Sequence, residues 1–328
     1  MLILLWALLA LLLFALFMIS LRWWVQRFIR ALLALRYRLI IVGREHIPKT
    51  GPVLVACNHV SWMDGFFLAG SCPRRGKALV GEAYLSLPIL GRWLRWIGMI
   101  PVPRSGPKAQ RAVLRISRQI LDEGGTLGIF PEAQISRNGL TGSFYRGIEV
   151  IVAGREPVAV IPAFLDGVWG SFFSFQGGHY FGKWPRGPRR TVILAFGPPV
   201  APPITAFSVR QAVLEAGVTA FEHRRRTLPP LETIDPNLPH LDHPELGPLA
   251  GSTADFDRDG VHQTGHKPGT VGHPLPGVAL KVVDDSGSPL PADSPGRLLA
   301  RVAGKGGWTD TGWTASIDRD GFVRIIGT

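Results

Sequence analysis

The feature that most constrains this chain is the uncharged, apolar run with which its sequence opens. Residues 1–20, MLILLWALLALLLFALFMIS, contain no charged side chain. About 20 apolar residues in an α-helix cross the hydrocarbon core of a bilayer, so this run is long enough to span a membrane. A cleaved signal peptide is the alternative, but no basic residue precedes the run and no small-x-small cleavage site follows it. The run therefore predicts an uncleaved transmembrane helix.

The segment after this run is basic and aromatic. Trp23 and Trp24 stand where an interfacial aromatic belt is expected. No acid appears before Glu45, and residues 21–43 contain five arginines: Arg22, Arg27, Arg30, Arg36 and Arg38. Positive charge marks the cytoplasmic side of a span, so the bulk of the chain is predicted to face the cytoplasm. Residues 21–38 are predicted to form an interfacial helix on anionic headgroups, which makes residues 1–39 the membrane anchor. An ordinary helix packed on the domain is the alternative.

The overall charge predicts an anionic partner. Thirty-six Lys and Arg against 24 Asp and Glu give a formal net charge of +12, with a sequence pI of about 10.5. Nucleic acid, an acidic membrane surface and a phosphorylated substrate all fit such a balance, but no nucleic-acid-binding motif occurs. The two cysteines, Cys57 and Cys72, form neither a disulfide framework nor a metal-ligand cluster, which indicates a reducing compartment.

Residues 40–225 alternate between strand-like and helix-like segments. The strand-like runs are GPVLVACN (51–58), TLGIF (126–130), PVAVIPAFL (157–165) and TVILAFG (191–197). Between them, PKAQRAVLRISRQILDEGG (107–125) has apolar residues at helical spacing and ends at a glycine pair. The order strand, helix, strand predicts an α/β domain with a largely buried sheet.

The amino-acid composition of the sequence changes near residue 226. Residues 226–262 are rich in Pro, Asp, Gly and His without apolar periodicity, which predicts a linker. Residues 263–328 hold short β-like runs joined by Gly and Pro turns. This last part is expected to be either a small β-rich unit or a fragment that does not fold well alone.

A polar cluster interrupts the apolar stretch ACNHVSWMDGFF, residues 56–67. Asn58 and His59 follow a predicted strand, and Ser61 with Asp64 has the spacing of a helix capping box. Asp64 could merely close the helix terminus, or it could also fix the tautomer of His59 and raise its basicity. His59 could then remove a proton from a substrate hydroxyl. Cys57 offers a rival chemistry as an acyl-enzyme nucleophile, although a core position is the simpler interpretation.

The pattern N-H-x-S-x-x-D after a β-rich run resembles the first motif of the glycerolipid acyltransferases, the lysophosphatidic acid acyltransferase family. Three further stretches resemble the later blocks of that family, in the same order: MIPVPRSG (99–106), GIFPEAQISRNG (128–139) and VAVIPAFLDG (158–167). The resemblance covers residues 40–205, within a predicted acyltransferase domain of residues 40–225. It implies an α/β fold in which a mixed sheet is flanked by helices.

The resemblance also implies roles for the first two blocks. His59 would deprotonate the acceptor hydroxyl, which attacks a thioester directly, and Asp64 would orient His59. Asn58 and Ser61 complete the first block near the substrate. Arg104 ends the second block, where the family binds the phosphate of its acceptor, and a guanidinium suits that task because it pairs with phosphate in a bidentate manner.

The third and fourth blocks supply the remaining expected contacts. Phe130, Pro131 and Glu132 match the third block, and the family uses this glutamate to help hold the glycerol-phosphate acceptor. Ala133 and Gln134 stand where the family has glycine and threonine. The fourth block forms an apolar wall in the family, and its matching residues are Ile161 and Pro162.

The implied activity is transfer of a fatty acyl group from acyl-CoA or acyl carrier protein to the free hydroxyl of a lysophospholipid at a membrane. The first acceptor to consider is 1-acylglycerol 3-phosphate, with lysophosphatidylethanolamine as the alternative. No cofactor and no metal is implied, and nucleic acid is not an expected partner. The expected localisation is a bacterial inner membrane, in a single pass with the catalytic domain in the cytoplasm. A non-catalytic membrane scaffold is the alternative of a different class.

Two basic stretches have an open role. RRGK (74–77) and KWPRGPRR (183–190) could rest on anionic headgroups or meet an acidic acyl carrier protein. A solvated surface is the alternative, because single surface charges contribute little.

The C-terminal part resembles a fragment of another family. KPGTVGHPLPG (267–277), GWTDTGWTASIDRDGF (307–322) and the β-like runs around them are similar to adenylate-forming acyl-CoA or acyl-carrier-protein synthetases. The phosphate loop of that family is missing, and Trp313 stands where its ribose-binding aspartate belongs. The resemblance implies a remnant without adenylating activity. Such synthetases are sometimes fused to an acyltransferase that re-acylates lysophosphatidylethanolamine, which keeps that acceptor open.

Overall fold

The computed structural model describes residues 34–74, 76–86, 88, 90–96, 99–102, 106–155, 157–179, 182, 189–224, 235–258 and 260–327, with isolated positions before residue 34. Most of the predicted membrane anchor, residues 1–39, therefore lies outside the described residues. Among the residues that are described, no helix is long and apolar enough to cross a membrane.

A seven-stranded sheet forms the core of the N-terminal part. Its strands are β1 (Tyr37–Val42), β2 (Val53–Cys57), β3 (Gly76–Gly81), β4 (Ile100–Val102), β5 (Thr126–Ile129), β6 (Ala159–Asp166) and β7 (Arg190–Phe196). They lie in the order β1-β7-β6-β2-β5-β3-β4, and every neighbouring pair is parallel except the antiparallel pair β6 and β7. The predicted mixed α/β sheet is confirmed.

Helices cover this sheet. In the described part of the chain they are α1 (Asp64–Ser71), α2 (Glu82–Leu85), α3 (Leu90–Trp96), α4 (Pro107–Asp122), α5 (Gly147–Val152) and α6 (Ala206–Glu222), with a 3-10 turn at Arg44–His46. Helix α4 is amphipathic as predicted, because Val113 and Ile120 are buried while Arg115 is exposed. Such a stripe is what a helix packed against one sheet face requires.

The central strands place the polar cluster. All five residues of β2 are buried, as expected for a parallel strand with both faces covered. Strand β2 pairs in parallel with β5 on one side and β6 on the other. Because parallel strands end at the same edge of a sheet, the residues that follow β2 and β5 meet there. His59 and Glu132 are two of these residues.

The C-terminal part is folded. Its strands are β8 (His240–His243), β9 (Gly247–Gly251), β10 (Phe256–Arg258), β11 (Val261–Gln263), β12 (His273–Pro274), β13 (Val278–Val283), β14 (Gly296–Val302), β15 (Thr309–Ile317) and β16 (Val323–Gly327). Strands β13 to β16 form an antiparallel sheet in chain order. Its buried residues, among them Leu280, Leu298 and Ile317, share one hydrophobic cluster with Leu249. Residues 235–327 are called the C-terminal unit below.

The stretch predicted as a linker, residues 226–262, contains regular structure after residue 239. This stretch contains β8 to β11, each only three to five residues long. Strands this short carry too few alternating positions to produce a periodic signal among prolines and glycines. The domain boundaries themselves remain predictions.

Helix α6 joins the two parts because it is apolar on two faces. Val209 and Val213 belong to the hydrophobic cluster of the main sheet, whereas Leu214 and Val218 contact Ala279 of β13. A helix that is apolar all round is buried on more than one side. The C-terminal unit covers the second side.

Gly217, inside α6, offers a test of this packing. A Cβ at this position would lie 2.9 Å from Cδ2 of Phe164, which is buried. Alanine normally stabilises a helix interior by up to about 1 kcal/mol over glycine. We expect Gly217→Ala to lower the free energy of unfolding instead, by about 1–3 kcal/mol, because the ring cannot give way in a packed core. Denaturant unfolding of the detergent-solubilised protein measures this.

Gly70 of α1 is the matched control, since a Cβ there would meet nothing within 4 Å. Gly70→Ala should leave stability unchanged or raise it by up to about 1 kcal/mol. A Gly217→Ala protein as stable as the Gly70→Ala protein would contradict the close approach of α6 to Phe164.

Candidate active site

His59 and Asp64 are brought together at the edge of the sheet. His59 is the second residue after β2, and Asp64 is the first residue of α1. The ring Nδ1 of His59 lies 3.0 Å from Oδ2 of Asp64. The side chain of Asp64 is fully buried, whereas that of His59 is 18% exposed. The pair predicted from the sequence is thus formed, with its carboxylate inside and its imidazole toward the surface.

Asp64 is held by more donors than His59 alone. Its Oδ2 accepts the backbone N–H groups of Val60 at 2.6 Å and Ser61 at 2.8 Å, and its Oδ1 accepts the hydroxyl of Ser61. The Ser61 hydroxyl in turn accepts the backbone N–H of Met63. The helix begins at Asp64 with Met63 as its N-cap, so Ser61 is not the cap residue that the sequence predicted. The turn before the helix is closed by Asp64 itself.

These donors determine which nitrogen of His59 carries the proton. An oxygen that already accepts two backbone N–H groups acts as an acceptor, so Nδ1 of His59 donates to it. The Nε2 atom therefore carries the lone pair, and no described residue hydrogen-bonds to it. Phe130 stacks on the imidazole with the ring centroids 4.2 Å apart. This arrangement orients one basic nitrogen away from the protein interior.

Glu132 holds the main chain of His59 through a hydrogen bond. It is buried, and its Oε1 accepts the backbone N–H of His59 at 2.8 Å while its Oε2 accepts that of Gly142 at 2.8 Å. Burial raises its pKa to about 7, against the opposing effect of these two hydrogen bonds and of the nearby His59 and Arg210. The described contacts are those of a residue that positions His59. The acceptor contact that the resemblance implies for Glu132 stays a prediction.

A second backbone contact completes the support of His59. The N–H of Ser136 donates to the carbonyl oxygen of His59 at 2.8 Å. Residues 130–142, called loop 130–142 below, thus hold both the N–H and the C=O of His59. Sequence reasoning did not single out Ser136 or Gly142. The matched third block contains Ser136, but nothing in the letters shows that its main chain, and not its hydroxyl, makes the contact.

Several predicted substrate-binding residues lie inside the fold. Asn58 is buried, and its amide exchanges two hydrogen bonds with the backbone of Leu165 in β6. Ile161 and Pro162 are buried in β6 beside β2, so they form a core strand behind the site rather than an exposed wall. Pro131 is buried as well, and Phe130 is partly exposed. Of the predicted set, His59 and Phe130 are thus the described residues with exposed surface, and the others hold them in place.

Two further predictions concern Cys57 and Arg104. Cys57 is fully buried in β2, and burial raises the pKa of its thiol well above the usual range, with Asp64 and Glu132 adding to the effect. A buried neutral thiol is a poor nucleophile, which favours the core position. Arg104 lies outside the described residues, so its place relative to His59 stays a prediction.

The basic stretches are partly structural. Arg74 donates to the carbonyl oxygens of Pro48, Gly51 and Gly124. Arg190 donates to backbone carbonyls of residues 167, 169 and 170. These arginines join loops instead of forming a solvated surface, while residues 183–188 lie outside the described part of the chain.

Ala133 adopts an unusual backbone conformation. Its φ is +53°, in the left-handed region where glycine is favoured. This is the position at which the resembled family has glycine, so the turn keeps its geometry with a residue that suits it less. Gln134, the other departure, extends its Nε2 to 3.5 Å from the carbonyl oxygen of His262 in β11, at the outer limit of a hydrogen bond. Both departures thus fall where loop 130–142 approaches the C-terminal unit.

Comparison with known proteins supports the first resemblance. Residues 38–166 match the Acyltransferase family. The chain is 31% identical over 132 residues to the chloroplast 1-acyl-sn-glycerol-3-phosphate acyltransferase LPAT1 of Arabidopsis thaliana, covering 40% of this chain and 36% of that protein. It is 29% identical over 130 residues to the 1-acyl-sn-glycerol-3-phosphate acyltransferase of Borreliella burgdorferi, covering 39% and 51%. The chain therefore spans about half or less of the length of these relatives.

Solved structures match more distantly. The crystal structure of the acyltransferase PlsC from Thermotoga maritima aligns with a TM-score of 0.46 at 23% identity, covering 62% of this chain and 80% of that one. The amide bond synthetase McbA from Marinactinospora thermotolerans aligns with a TM-score of 0.22 at 16% identity, covering 86% and 70%. The family match to residues 38–166 and the curated relatives are the comparisons that bear out the similarity to lysophosphatidic acid acyltransferases.

The backbone of Ala133 generates one prediction. A left-handed conformation costs a residue with a Cβ about 1–2 kcal/mol, so we expect Ala133→Gly to raise the free energy of unfolding by about 1 kcal/mol. Asp293, in the C-terminal unit, has a φ of +67° and serves as the comparison. Aspartate tolerates this region through local hydrogen bonds, so Asp293→Gly should gain less. Equal gains in denaturant unfolding would argue against specific strain at Ala133.

Glu132 generates a prediction about pH. Its pKa is about 7 in the folded protein and 4.5 as the ordinary value, so between these values the folded state binds more protons than the unfolded state. Stability contributed by the protonated group is present below about pH 4.5 and is lost as the pH rises through about 7. We expect wild-type stability to fall relative to Glu132→Gln by up to about 3 kcal/mol between about pH 5 and pH 8. Parallel unfolding curves for the two proteins would contradict the raised pKa.

Proposed function

We propose that this protein is a membrane-associated acyltransferase that moves a fatty acyl group from a thioester donor to the free hydroxyl of a lysophospholipid. The observation that carries the proposal is the geometry of His59, whose Nδ1 lies 3.0 Å from a buried Asp64 while Nε2 has no partner among the described residues. This is the arrangement of a general base whose tautomer is fixed by a buried carboxylate. The similarity of residues 38–166 to the Acyltransferase family agrees with it.

The chemistry needs one proton transfer in each direction. Nε2 of His59 removes the proton of the acceptor hydroxyl as its oxygen bonds to the thioester carbonyl carbon. The tetrahedral intermediate then collapses, the C–S bond breaks, and the thiolate takes the proton back from the imidazolium. Asp64 stabilises the imidazolium that exists between these steps. A positioned base of this kind accelerates a reaction by about 10²- to 10⁴-fold.

The acyl donor in this proposal is acyl-CoA or acyl carrier protein, and the acceptor is 1-acylglycerol 3-phosphate. Arg104 is assigned to the acceptor phosphate, because a guanidinium pairs with two phosphate oxygens at once. Lysophosphatidylethanolamine is the second acceptor to test, since residues 263–328 resemble synthetases of the corresponding fusion. The proteins of Arabidopsis thaliana and Borreliella burgdorferi that the chain resembles are 1-acyl-sn-glycerol-3-phosphate acyltransferases, which favours the first acceptor.

A membrane location suits these substrates. Among the described positions before residue 34, Trp6, Leu9, Leu12, Phe17 and Trp24 expose between 43% and 64% of their surface. Apolar side chains exposed along one segment are costly in water and are stabilised in a bilayer. We assign the part of residues 1–39 that precedes β1 to a single-pass anchor, with the acyltransferase domain on the cytoplasmic face of a bacterial inner membrane. An anchored enzyme takes its acceptor from the bilayer, because each acyl methylene favours the membrane by about 0.8 kcal/mol.

Removal of the His59 ring tests the proposal. We expect His59→Ala to lower kcat by about 10²- to 10⁴-fold, because the hydroxyl proton then has no positioned acceptor. The assay uses purified protein in detergent, with labelled acyl-CoA and labelled acyl carrier protein as donors. A panel of lysophospholipids that includes both candidate acceptors is offered to each donor, which identifies the preferred pair.

His240 provides the matched control, because it is exposed and its described partners are the backbone of Leu238 and the side chain of Asp242. His240→Ala should keep wild-type turnover. A His59→Ala protein that retains wild-type kcat would remove the base assignment. A wild-type protein that transfers no acyl group to any lysophospholipid would favour the scaffold alternative instead.

A further inference from the structure

We propose that the C-terminal unit, residues 235–327, positions His59 for catalysis by clamping loop 130–142. The inference rests on the proposed acyl transfer but concerns a part of the chain that resembles a synthetase remnant. It assigns a positioning role to Asn138, Gln263 and Arg210. None of these side chains contacts His59, so each acts through the main chain of the loop.

The first clamp is a buried pair of amides. Nε2 of Gln263, in β11, donates to Oδ1 of Asn138 at 2.7 Å, and Oε1 of Gln263 accepts the backbone N–H of Arg137 at 2.7 Å. Nδ2 of Asn138 donates to the hydroxyl oxygen of Thr253 at 2.9 Å. Asn138, Gln263 and Thr253 are all buried. Two residues of loop 130–142 are thus joined to two residues of the C-terminal unit.

The same amide organises the loop itself. Oδ1 of Asn138 also accepts the hydroxyl of Ser136 at 3.1 Å and the backbone N–H of Leu140 at 3.1 Å. Ser136 is the residue whose N–H donates to the carbonyl oxygen of His59. A continuous chain of hydrogen bonds therefore runs from Gln263 through Asn138 and Ser136 to the main chain of His59.

The second clamp is Arg210 of α6. It is 1% exposed, and it donates through Nε to the carbonyl oxygen of Gly142 at 2.8 Å and through Nη2 to that of Thr141 at 2.9 Å. Gly142 is the residue whose N–H donates to Glu132, which holds the N–H of His59. Arg210 is thus connected through Gly142 and Glu132 to the backbone N–H of His59, whereas the first clamp is connected to the carbonyl oxygen of His59.

The C-terminal unit closes over Arg210. A Cβ at Gly321, which has a φ of +89°, would lie 2.2 Å from Cζ of Arg210, so the glycine leaves the space that the guanidinium occupies. Ser143, just after the loop, donates its hydroxyl to the carbonyl oxygen of Asp320 at 3.4 Å. The turn that follows β15 therefore confines the arginine between the loop and the C-terminal unit.

The charges around Arg210 fit a buried cation that is shared by the two parts. Burial lowers the pKa of Arg210 to about 10, and the negative charges of Glu132 in loop 130–142 and of Asp318 and Asp320 in the C-terminal unit act in the opposite direction. This attraction is long-range, because Asp318 and Asp320 pair directly with Lys267 and the described hydrogen bonds of Arg210 go to carbonyl oxygens of loop 130–142. Burial, together with the positive charge of Arg210, lowers the pKa of His273 to about 3.

A paired substitution tests the clamp. Removing a buried hydrogen bond that fixes a catalytic geometry costs about tenfold in rate for each 1.4 kcal/mol lost. We expect Gln263→Ala and Asn138→Ala each to lower kcat about tenfold. The double variant should lose less than the product of the two single losses, because either substitution already breaks the hydrogen bond between Gln263 and Asn138. The KM for acyl-CoA should stay within roughly twofold, because neither residue touches the donor.

Two matched controls separate positioning from general destabilisation. Gln211, next to Arg210 on α6, donates to the carbonyl oxygen of Leu280, and Thr311 is buried in β15 with its hydroxyl on Leu298. Gln211→Ala and Thr311→Val remove comparable contacts of the C-terminal unit away from loop 130–142. Both should lower the unfolding temperature without lowering kcat. Equal loss of kcat in the controls and in Gln263→Ala would overturn the proposal.

Hydrogen exchange gives a readout that does not require activity. We expect Gln263→Ala to speed exchange about tenfold in peptides that contain the amides of His59, Ser136 and Gly142, while both controls leave these peptides unchanged. Unchanged exchange there would overturn the clamp even if wild-type acyl transfer is present. Wild-type protein that fails to transfer acyl groups would overturn the proposed function, and the exchange result would still decide whether the clamp exists.

Discussion

The carboxylate of Asp64 is the constraint on which the candidate site depends. It accepts two backbone N–H groups, one hydroxyl and the ring of His59 while it is completely enclosed. Hydrogen bonds to an ionised group are worth on the order of 1.5–3 kcal/mol each, and a buried carboxylate without them is strongly destabilising. These hydrogen bonds fix the conformation of the turn between β2 and α1. In that conformation Nδ1 of His59 is bound to Asp64 and Nε2 is left without a described partner.

Other parts of the molecule hold the residues around Asp64 and His59 in place. The exits of β2 and β5 lie side by side, so the loop after β5 reaches the main chain of His59 from both directions. Helix α6 and the C-terminal unit then close around that loop. The arginines take part as internal cross-links, because Arg74, Arg190 and Arg210 all donate to backbone carbonyls. A net charge of +12 therefore overstates how much positive surface is free to meet an anionic partner.

Much of the main sheet could be predicted from the sequence, and much of its surroundings could not. The strands β2, β5 and β6 are apolar apart from Thr126 at the start of β5 and Asp166 at the end of β6, which is the pattern of parallel strands buried on both faces. The His59 and Asp64 pair was also predictable, because both ends of the contact lie within one short motif. Asn138 and Gln263 were not, because a contact across 125 residues leaves no local pattern.

Arg210 illustrates the same limit on a single residue. It is the one basic residue in the stretch AFSVRQAVLEAGVTAF (206–221) of α6, and a lone cation there resembles an ordinary exposed position. Its partners are carbonyls of loop 130–142, which a sequence pattern cannot identify. The observation that marks Arg210 as functional is the burial of its charged side chain. That burial is known only once both faces of α6 are seen to be covered.

The double-sided character of α6 has a consequence for biosynthesis. When α6 has left the ribosome, the face with Val209 and Val213 can already pack against the main sheet. Leu214 and Val218 stay uncovered until β13 has been synthesised. The nascent chain therefore passes through an interval in which an apolar strip of α6 is exposed to solvent. Chaperones that bind apolar segments recognise such strips, and the length of this interval decides how much the young polypeptide depends on them.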